Sequence, residues 1–393
     1  ALRYGAENLL EVFVDEHSAD SSVNRAERDA DYWVFGGIYR PVYLESSPAE
    51  AITHIAVDAR ADGRLRVLAE LSGVRAPARL EARVGSPAGD RAIGVLSLEL
   101  ERGPTEAELA ATLADIHPWS AEHPFLYDLE VRLTRDGGPL HLERLRIGFR
   151  TLKVEPGEGL FINGRRVLLK GVNRHSFQPD SGRSLSREQN RRDVELLKAM
   201  NMNAVRTSHY PPDVSFLEAC DELGIYVIAE LAGWHDAYDT RVGRLLVREM
   251  VRRDVNHPSI ILWANGNERG WNEELDRLFP VYDPQERPVI HPDAPFSGFD
   301  PGHYPSWAEL AERLEPNSLR NRFWRLLGRE SLVMPTEMLH GLYDGGSGAG
   351  LEDYWELIRA SPLAAGAFLW AFADESVVRA DRDGELDPAG NFA

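Results

Sequence analysis

The 393-residue sequence contains a single cysteine, Cys220, and no run of eighteen apolar residues. A lone cysteine excludes an internal disulfide and a metal site built from several thiolates. Because Cys220 lies at helical spacing from Phe216 and Leu217, we interpret it as a small buried hydrophobe. The absence of a long apolar run predicts that no helix spans a membrane, so we expect no membrane partner.

Basic residues are also scarce, with 44 Lys and Arg against 63 Asp and Glu and a formal net charge of −19. Such a chain repels phosphate backbones, so we predict no nucleic-acid partner. What is present is typical of a folded protein: 43% hydrophobic residues, 27% charged residues and nine tryptophans. The length predicts more than one domain. The acidic balance fits both secreted or periplasmic and cytoplasmic proteins, so the compartment stays open.

The first 150 residues have the pattern of β-strands and no helical pattern. Apolar and polar residues alternate over residues 64–71 and 127–133, and turn signals such as Asp62-Gly63 separate the runs. Residues 8–14 also resemble a strand. Short strands at this spacing predict β-sandwich domains, with a boundary near Pro48.

From about residue 151, strands alternate with helices. A capping box over residues 186–189 begins a helix whose apolar face we assign to Val194, Leu197 and Met200, and a second helix is predicted to end at Gly224. Repeated units of this kind favour either a parallel barrel or a doubly wound sheet. Strands are predicted at residues 167–172, 203–206, 225–230, 260–264, 288–291, 332–335 and 366–370.

The polar residues that follow these strands decide between the two folds. Side chains suited to chemistry stand at the carboxyl end of nearly every strand, as in the active site of a TIM barrel. No glycine-rich phosphate fingerprint follows the first strand, which disfavours a nucleotide-binding sheet. We therefore predict a barrel. The strand-end residues on which this prediction rests are Asn173, Arg174, His175, Ser208, His209, Tyr210, Glu230, Asn267, Glu268, Glu337 and Trp370.

Two of these residues, Glu268 and Glu337, directly follow apolar strands. Burial can raise the pKa of such a carboxyl group enough for it to act as an acid near neutral pH. Two carboxyl groups that face each other across a barrel mouth suit cleavage of an acetal. From spacing alone, solvated loop acids are an equally good interpretation.

The ordered motifs resemble glycoside hydrolase family 2, which contains β-galactosidases, β-glucuronidases and β-mannosidases. The motifs are residues 171–175, 205–211, 267–268 and 337, and the resemblance extends from residues 35–42 to residues 368–372. It implies a multidomain β plus α/β chain. We expect the C-terminal part of a jelly-roll sugar-binding domain (1–48), an immunoglobulin-like β-sandwich (49–150) and a C-terminally truncated (β/α)8 TIM barrel (151–393).

The resemblance also implies roles for individual residues. Glu268 would be the general acid/base and Glu337 the nucleophile, with the carboxyl groups roughly 5–5.5 Å apart as in retaining enzymes. Arg206 would lie beside Glu337 and keep it ionised. The implied substrate-binding residues are Asp31, His175, Arg206, His209, Asn267, Tyr304 and Trp370.

The sequence departs from the galactosidase pattern in places that bear on cofactors. That pattern supplies a second Glu and a His after the third strand, which help to hold magnesium; here residues 231–236 read Leu-Ala-Gly-Trp-His-Asp. The adjacent His235 and Asp236 would make a poor chelate without further ligands. We therefore predict no cofactor, and a divalent cation near the site stays open as an alternative that the sequence does not support. The glycine-rich residues 343–350 are not a phosphate loop, and we interpret them as the rim of a glycan subsite.

The sequence thus predicts a retaining exo-β-glycosidase that hydrolyses terminal β-linked sugars, with a β-galactoside as the preferred substrate. A β-glucuronidase, a β-mannosidase and a non-hydrolytic carbohydrate-binding protein stay open as alternatives. The partner is an oligosaccharide or other β-glycoside, and a homo-oligomer stays open. We expect the chain to be a piece of a longer protein, poorly stable or inactive alone, because part of a jelly-roll exposes strand edges.

Overall fold

The computed structural model describes residues 2–30, 32–86, 92–340, 349–373, 376–379 and 384–386. In its first 48 residues, the described part forms helix α1 (Ser21–Arg28) and no strand, so the strand expected at residues 8–14 is wrong. A strand needs a neighbour to satisfy its backbone groups, and these side chains are exposed instead. Helix α1 lacks an apolar stripe, which is why no helix was predicted there. It buries only Ser22 and Ala26, and Glu27 accepts a hydrogen bond from Tyr238 at 2.6 Å.

Residues 51–147 form a β-sandwich, because alternate side chains along its strands are apolar. In the second strand, Leu65 and Val67 are buried whereas Arg64 and Arg66 are exposed. The antiparallel sheets have the orders β1-β2-β5 and β4-β3-β6-β7. The strands are β1 (Ala51–Ala59), β2 (Arg64–Ser72), β3 (Ala78–Gly85), β4 (Ala92–Leu100), β5 (Glu106–Thr112), β6 (Tyr127–Arg135) and β7 (Gly138–Ile147).

A small antiparallel sheet separates the sandwich from the rest of the chain. It consists of β8 (Leu152–Glu155), β9 (Gly159–Ile162) and β10 (Arg165–Val167). Val167 pairs with Leu160 in this sheet. The strand predicted at residues 167–172 is therefore divided, and only its later part enters the parallel sheet that follows.

The parallel strands of the third region have the order β15-β14-β13-β12-β11-β18, and β16 pairs with β17. An isolated parallel bridge pairs Val333 in β17 with Ala364, which lies just before β18. No ladder of the described residues joins β15 to β16, so the ladders do not close into a ring. The strands are β11 (Leu169–Arg174), β12 (Ala204–Arg206), β13 (Tyr226–Trp234), β14 (Ile260–Asn267), β15 (Val289–Ile290), β16 (Phe299–Asp300), β17 (Leu332–Val333) and β18 (Gly366–Phe372).

Helices alternate with these strands. The predicted capping box is present, with Ser186 and Gln189 bonded reciprocally, and Gly224 caps α3 at φ 81°. Cys220 is buried, as predicted. Met200 is not on the buried face: it caps α2 and is 47% exposed. The helices are α2 (Arg187–Ala199), α3 (Val214–Leu223), α4 (Thr240–Asp254), α5 (Glu273–Asp276), α6 (Phe279–Tyr282), α7 (Trp307–Leu314), α8 (Leu319–Leu326) and α9 (Leu351–Ala360).

A last pair of strands, β19 (Val378–Arg379) and β20 (Glu385–Leu386), follows β18. None of the helices in the described part of the chain is both long and apolar enough to cross a membrane.

Candidate active site

The carboxyl ends of the parallel strands bring most of the predicted site residues together. Because parallel strands all point the same way, the residues that follow them meet at one edge of the sheet. Glu337 is a buried carboxylate at this edge, with 3% of its surface exposed. Arg206 donates to its Oε1 at 2.7 Å, and Tyr304 donates to its Oε2 at 2.7 Å.

These neighbours keep Glu337 ionised. Burial alone would raise the pKa of Glu337, but electrostatic interactions with His303, Arg206 and His209 and the hydrogen bond from Arg206 outweigh burial and lower it to about 2. The same carboxylate acts on Tyr304: burial, with the charge of Glu337, raises the pKa of that phenol well above its usual value. Tyr304 is therefore a hydrogen-bond donor at every relevant pH.

Glu268 is presented by a tight turn at the end of β14. Asn267 accepts a hydrogen bond from the backbone N–H of Gly270 at 2.7 Å, and Glu268 has a left-handed φ of 41°. Gly266 has a φ of 74°, and a Cβ there would lie 2.1 Å from the carbonyl oxygen of Gly270. Only glycine fits that position, so the turn holds Glu268 at the strand edge in a conformation that side chains rarely adopt.

The carboxyl groups of Glu268 and Glu337 are close neighbours. One oxygen of each and a ring nitrogen of His303 all lie within 4.8 Å of one another. His303 Nδ1 is 2.9 Å from Glu268 Oε1 and 3.5 Å from Glu337 Oε2. Burial, the largest single effect, would raise the pKa of Glu268, but the hydrogen bond with His303 and the electrostatic effects of His303 and His209 together outweigh it, so this pKa lies below its usual value. The raised pKa that we expected from the adjacent apolar strand is therefore wrong for the free site.

Arg206, at the end of β12, joins the site together. The side chain is fully buried and makes a forked pair with Glu230, at 2.6 and 3.0 Å. The same guanidinium donates to Asn173 at 2.9 Å and to Asn267 at 2.6 Å. Burial would lower the pKa of Arg206, but the charges of Glu230 and Glu337 outweigh this effect and raise it. One cation thus orients the carboxylate of Glu337 and two amides.

Asn267 has one donor that no protein group uses. Its Oδ1 accepts from Arg206, whereas its buried Nδ2 has no hydrogen-bond partner. An orphan buried donor is costly unless a ligand or water satisfies it. Asn267 directly precedes Glu268, so the site contains an unsatisfied donor in the residue next to one of its two carboxyl groups.

Aromatic side chains form one wall of the site. Trp370 in β18 stacks on His209, with 5.2 Å between ring centroids and 15° between planes. His175 is edge-on to both rings, at 5.3 Å from His209 and 5.5 Å from Trp370. Burial and nearby positive groups hold the pKa of His175 well below its usual value, so this imidazole is neutral. Tyr32 from the N-terminal segment adds a ring 5.3 Å from His175.

Not every predicted residue can be followed. Asp31 and the glycine-rich residues 343–348 lie outside the described residues. Conversely, Glu230 was predicted only as a polar residue at a strand end, with no role in the site, and His303 was not predicted. The role of Glu230 as the buried partner of Arg206 depends on packing. His303 adjoins the predicted Tyr304 but follows a strand of only two residues, Phe299–Asp300.

Candidate metal ligands are few in the described part of the chain. The one group of three there consists of Glu268, His303 and Glu337, and hydrogen bonds to protein groups already engage all three. After Glu230, Leu231 and Ala232 are buried and apolar, and the next two residues, Gly233 and Trp234, also offer no metal-ligating side chain. The residues present do not fit that magnesium site.

Two sequence models of one protein family match most of the chain. The sequence model described as "Glycosyl hydrolases family 2, TIM barrel domain" matches residues 152–392, and "Glycosyl hydrolases family 2" matches residues 50–150. The chain belongs to glycosyl hydrolase family 2. This membership supports the β-sandwich followed by a TIM-barrel domain, and it makes the chain part of a glycoside hydrolase family, as predicted from the motifs.

Individual relatives agree with the family. The chain is 31% identical to a β-galactosidase of Vibrio cholerae over 96% of its own length and 39% of the relative's length. A family 2 glycosyl hydrolase from Bacteroides cellulosilyticus has a TM-score of 0.75 at 24% identity, over 92% of this chain and 52% of that one. A β-glucuronidase from Bacteroides uniformis has a TM-score of 0.74 at 23% identity, over 92% and 51%. The chain thus spans about two fifths of that curated relative's length, and the solved structures show the fold alone.

Proposed function

We propose that the protein is a retaining exo-β-glycosidase in which Glu337 is the nucleophile and Glu268 the general acid/base. The supporting observation is the closeness of the two carboxyl groups, whose nearest oxygens lie within 4.8 Å. Retaining glycosidases need carboxyl groups about 5–5.5 Å apart, because the nucleophile must reach the anomeric carbon directly. Inverting enzymes leave about 6.5–9.5 Å for a water molecule, which is more room than this site offers.

The neighbours of Glu337 suit a nucleophile. Arg206 and Tyr304 each engage one carboxylate oxygen and keep the group ionised and oriented. In the first step Glu337 attacks the anomeric carbon, while Glu268 gives its proton to the departing glycosidic oxygen. In the second step Glu268 takes a proton from water, which attacks the same carbon and releases Glu337.

The remaining residues suit binding of a sugar ring. The orphan Nδ2 of Asn267 can donate to a sugar hydroxyl beside the reacting carbon, where hydrogen bonds to the 2-hydroxyl strengthen in the transition state. Trp370 offers an apolar face for the C–H side of the ring. His175 and His209 supply further polar groups on the same wall.

For the sugar itself we propose a terminal β-galactoside. The support comes from the curated relatives, among them the Vibrio cholerae β-galactosidase at 31% identity. A β-glucuronide is the second candidate, because a β-glucuronidase of Bacteroides uniformis shares the fold. A β-mannoside, or sugar binding without hydrolysis, would be separated from these by the assay described below.

We also propose the finer architecture expected of this family. Residues 1–48 would be part of a jelly-roll domain, residues 49–150 an immunoglobulin-like sandwich, and residues 151–393 a closed (β/α)8 barrel. The parallel order of six strands and the β16–β17 pair support the barrel. The sheets of three and four strands support the sandwich.

A panel of nitrophenyl β-glycosides tests the proposal. Galactoside, glucuronide, mannoside and glucoside are each incubated with the wild-type protein, Glu337→Gln and Glu312→Gln. Glu312 is an exposed glutamate of α7, so its variant controls for the loss of one negative charge. We expect the galactoside to be hydrolysed fastest, by the wild type and Glu312→Gln alone. Glycan binding without hydrolysis of any member, or turnover by Glu337→Gln close to that of the wild type, would contradict the proposal.

A further inference from the structure

His303 lies between the two catalytic candidates and has a partner on each ring nitrogen. Its Nδ1 is 2.9 Å from Glu268 Oε1, and its Nε2 is 3.0 Å from Thr336 Oγ1. The imidazole is 4% exposed, so water does not compete for either nitrogen. The protein therefore fixes both hydrogen bonds of this ring.

The hydrogen bonds of Thr336 define which nitrogen carries a proton. The hydroxyl of Thr336 donates to the carbonyl oxygen of Pro301 at 3.0 Å. A hydroxyl has a single proton to donate, so Thr336 Oγ1 must accept from His303 Nε2–H. With Nε2 protonated, Nδ1 bears either a lone pair or the second proton of an imidazolium.

A single proton is then required between His303 Nδ1 and Glu268 Oε1. If Glu268 is protonated, its O–H donates to the Nδ1 lone pair; if Glu268 is ionised, Nδ1–H donates to the carboxylate. The arrangement without this proton would place a lone pair against a carboxylate at 2.9 Å. The two groups thus hold this proton jointly.

The surroundings favour retention of this proton. Glu337 lies 3.5 Å from His303 Nδ1, and Tyr304, Arg206 and His209 contact Glu337 in turn. His235 lies 3.7 Å from Glu268 Oε2. Asp293 accepts a hydrogen bond from the backbone N–H of His303 at 3.1 Å. The ionised Glu337 is the nearest further charge to the ring, and it attracts a proton on Nδ1.

We propose that His303 is a positioning residue that stores, jointly with Glu268, the proton delivered to the leaving group. When the glycosidic C–O bond breaks, the stored proton goes from Glu268 to the departing oxygen, which keeps the bonding electron pair, and Glu337 bonds to the anomeric carbon. When water attacks in the second step, Glu268 takes its proton, and the pair holds that proton again. His303 therefore returns to its starting state after each turnover.

This inference rests on the proposed function and resolves a conflict in the site. The pKa of Glu268 lies below its usual value in the free site, which alone would make it a weak store of a proton near neutral pH. A neighbouring imidazole that shares the proton keeps it available without a raised carboxyl pKa. The acid that protonates the leaving group thus consists of two side chains, Glu268 and His303.

The pH dependence of kcat/KM tests the proposal with His303→Gln, whose amide forms hydrogen bonds but does not titrate. In the wild type two groups can hold the proton, so the pair retains it to higher pH than Glu268 alone. We expect the alkaline limb to move down by about one pH unit in the variant, the scale at which such sites are coupled. If His303 is merely a neutral donor to Glu268, the limb stays in place or moves up, and the proposal is overturned.

The leaving group supplies a second readout. At a pH above the shifted limb, kcat/KM for a methyl glycoside should fall about tenfold in His303→Gln, whereas a dinitrophenyl glycoside, whose leaving group needs no acid, should change little. Tyr304→Phe is the matched control, because it loses a bond to Glu337 and leaves the Glu268 pair intact; its rate should fall with the alkaline limb unmoved. Equal losses on both substrates in His303→Gln would overturn the proposal.

The folded state of each variant is checked by circular dichroism and thermal unfolding. His303→Asn, with a shorter amide side chain, takes the place of His303→Gln if the latter does not fold, and the same downward shift is expected. Absence of hydrolysis by a wild-type protein that the same measurements show to be folded would instead refute the proposed function, so the two failures are distinguishable.

Discussion

Replacement of Arg206 perturbs the charge balance of the whole site. Arg206→Met removes the guanidinium that contacts both Glu230 and Glu337, and these carboxylates are 0% and 3% exposed. Breaking a buried ion pair by removal of one partner costs about 3–5 kcal/mol, because the other charge stays buried without compensation. Since 1 kcal/mol corresponds to roughly 2–4 °C for a unit of this size, we expect Tm to fall by about 6–20 °C.

Arg206→Lys tests the geometry of the cation separately from its charge. The guanidinium donates to Glu230, Glu337, Asn173 and Asn267 from three nitrogens, whereas an ammonium offers three donors at one point. Loss of two charged hydrogen bonds at about 1.5 kcal/mol each amounts to about 3 kcal/mol, and hence kcat/KM should fall about 100-fold.

The assay compares thermal unfolding with kcat/KM on the best nitrophenyl glycoside. Arg287→Lys is the matched control: Arg287 is also buried, pairs with Asp283 and contacts Ile260 at the start of β14, at the opposite end of the strands. It should lose stability but retain kcat/KM per folded molecule. Wild-type kcat/KM in Arg206→Lys, or a loss no larger than that of Arg287→Lys, would refute our reasoning.

Three further predictions concern single site residues. Glu268→Ala should lose activity on alkyl glycosides and recover part of its turnover of a dinitrophenyl glycoside with azide, since that leaving group needs no acid; absence of any azide product would contradict the role of Glu268. Asn267→Ser should lower kcat/KM at least about tenfold on a glycoside but much less on its 2-deoxy analogue, and equal losses would show that Asn267 does not contact the 2-hydroxyl. The pKa of Glu337 is lowered to about 2 from 4.5, so its ionised form stabilises the folded state above the usual value, and this contribution is lost as pH falls. Between about pH 4.5 and pH 2, Tm should therefore fall more steeply for the wild type than for Glu337→Gln, and parallel Tm curves would contradict this.

The sequence could predict the catalytic candidates because the signal for them is local. Glu268 and Glu337 each come after an apolar strand, and the carboxyl ends of parallel strands converge whatever the loops do. The same reasoning predicted Trp370, whereas Arg206 was predicted from the resemblance to glycoside hydrolase family 2. Such predictions require the strands to run parallel but do not require exact strand or helix boundaries. The misplaced start of the strand at residue 167 and the wrong burial of Met200 therefore did not affect them.

Other features depend on tertiary packing that no local pattern records. His303 follows the two-residue strand β16, which is too short for a periodic signal. Its bond with Glu268 joins side chains 35 positions apart. Helix α1 was missed because its buried face consists of Ser22 and Ala26, which are too small to mark an apolar stripe. The pKa of Glu268 was misjudged for the same reason, since burial was visible in the sequence but the hydrogen bond with His303 was not.

Covalent trapping tests the central claim that Glu337 is the nucleophile of a retaining enzyme. A 2-deoxy-2-fluoro β-galactoside with a dinitrophenyl leaving group slows release of the glycosyl-enzyme more than its formation, so the intermediate accumulates. Digestion and tandem mass spectrometry should then find one fluorinated sugar on the peptide that contains Glu337, with none in Glu337→Gln. A label on another residue, or continued turnover with no labelled peptide, would contradict the account.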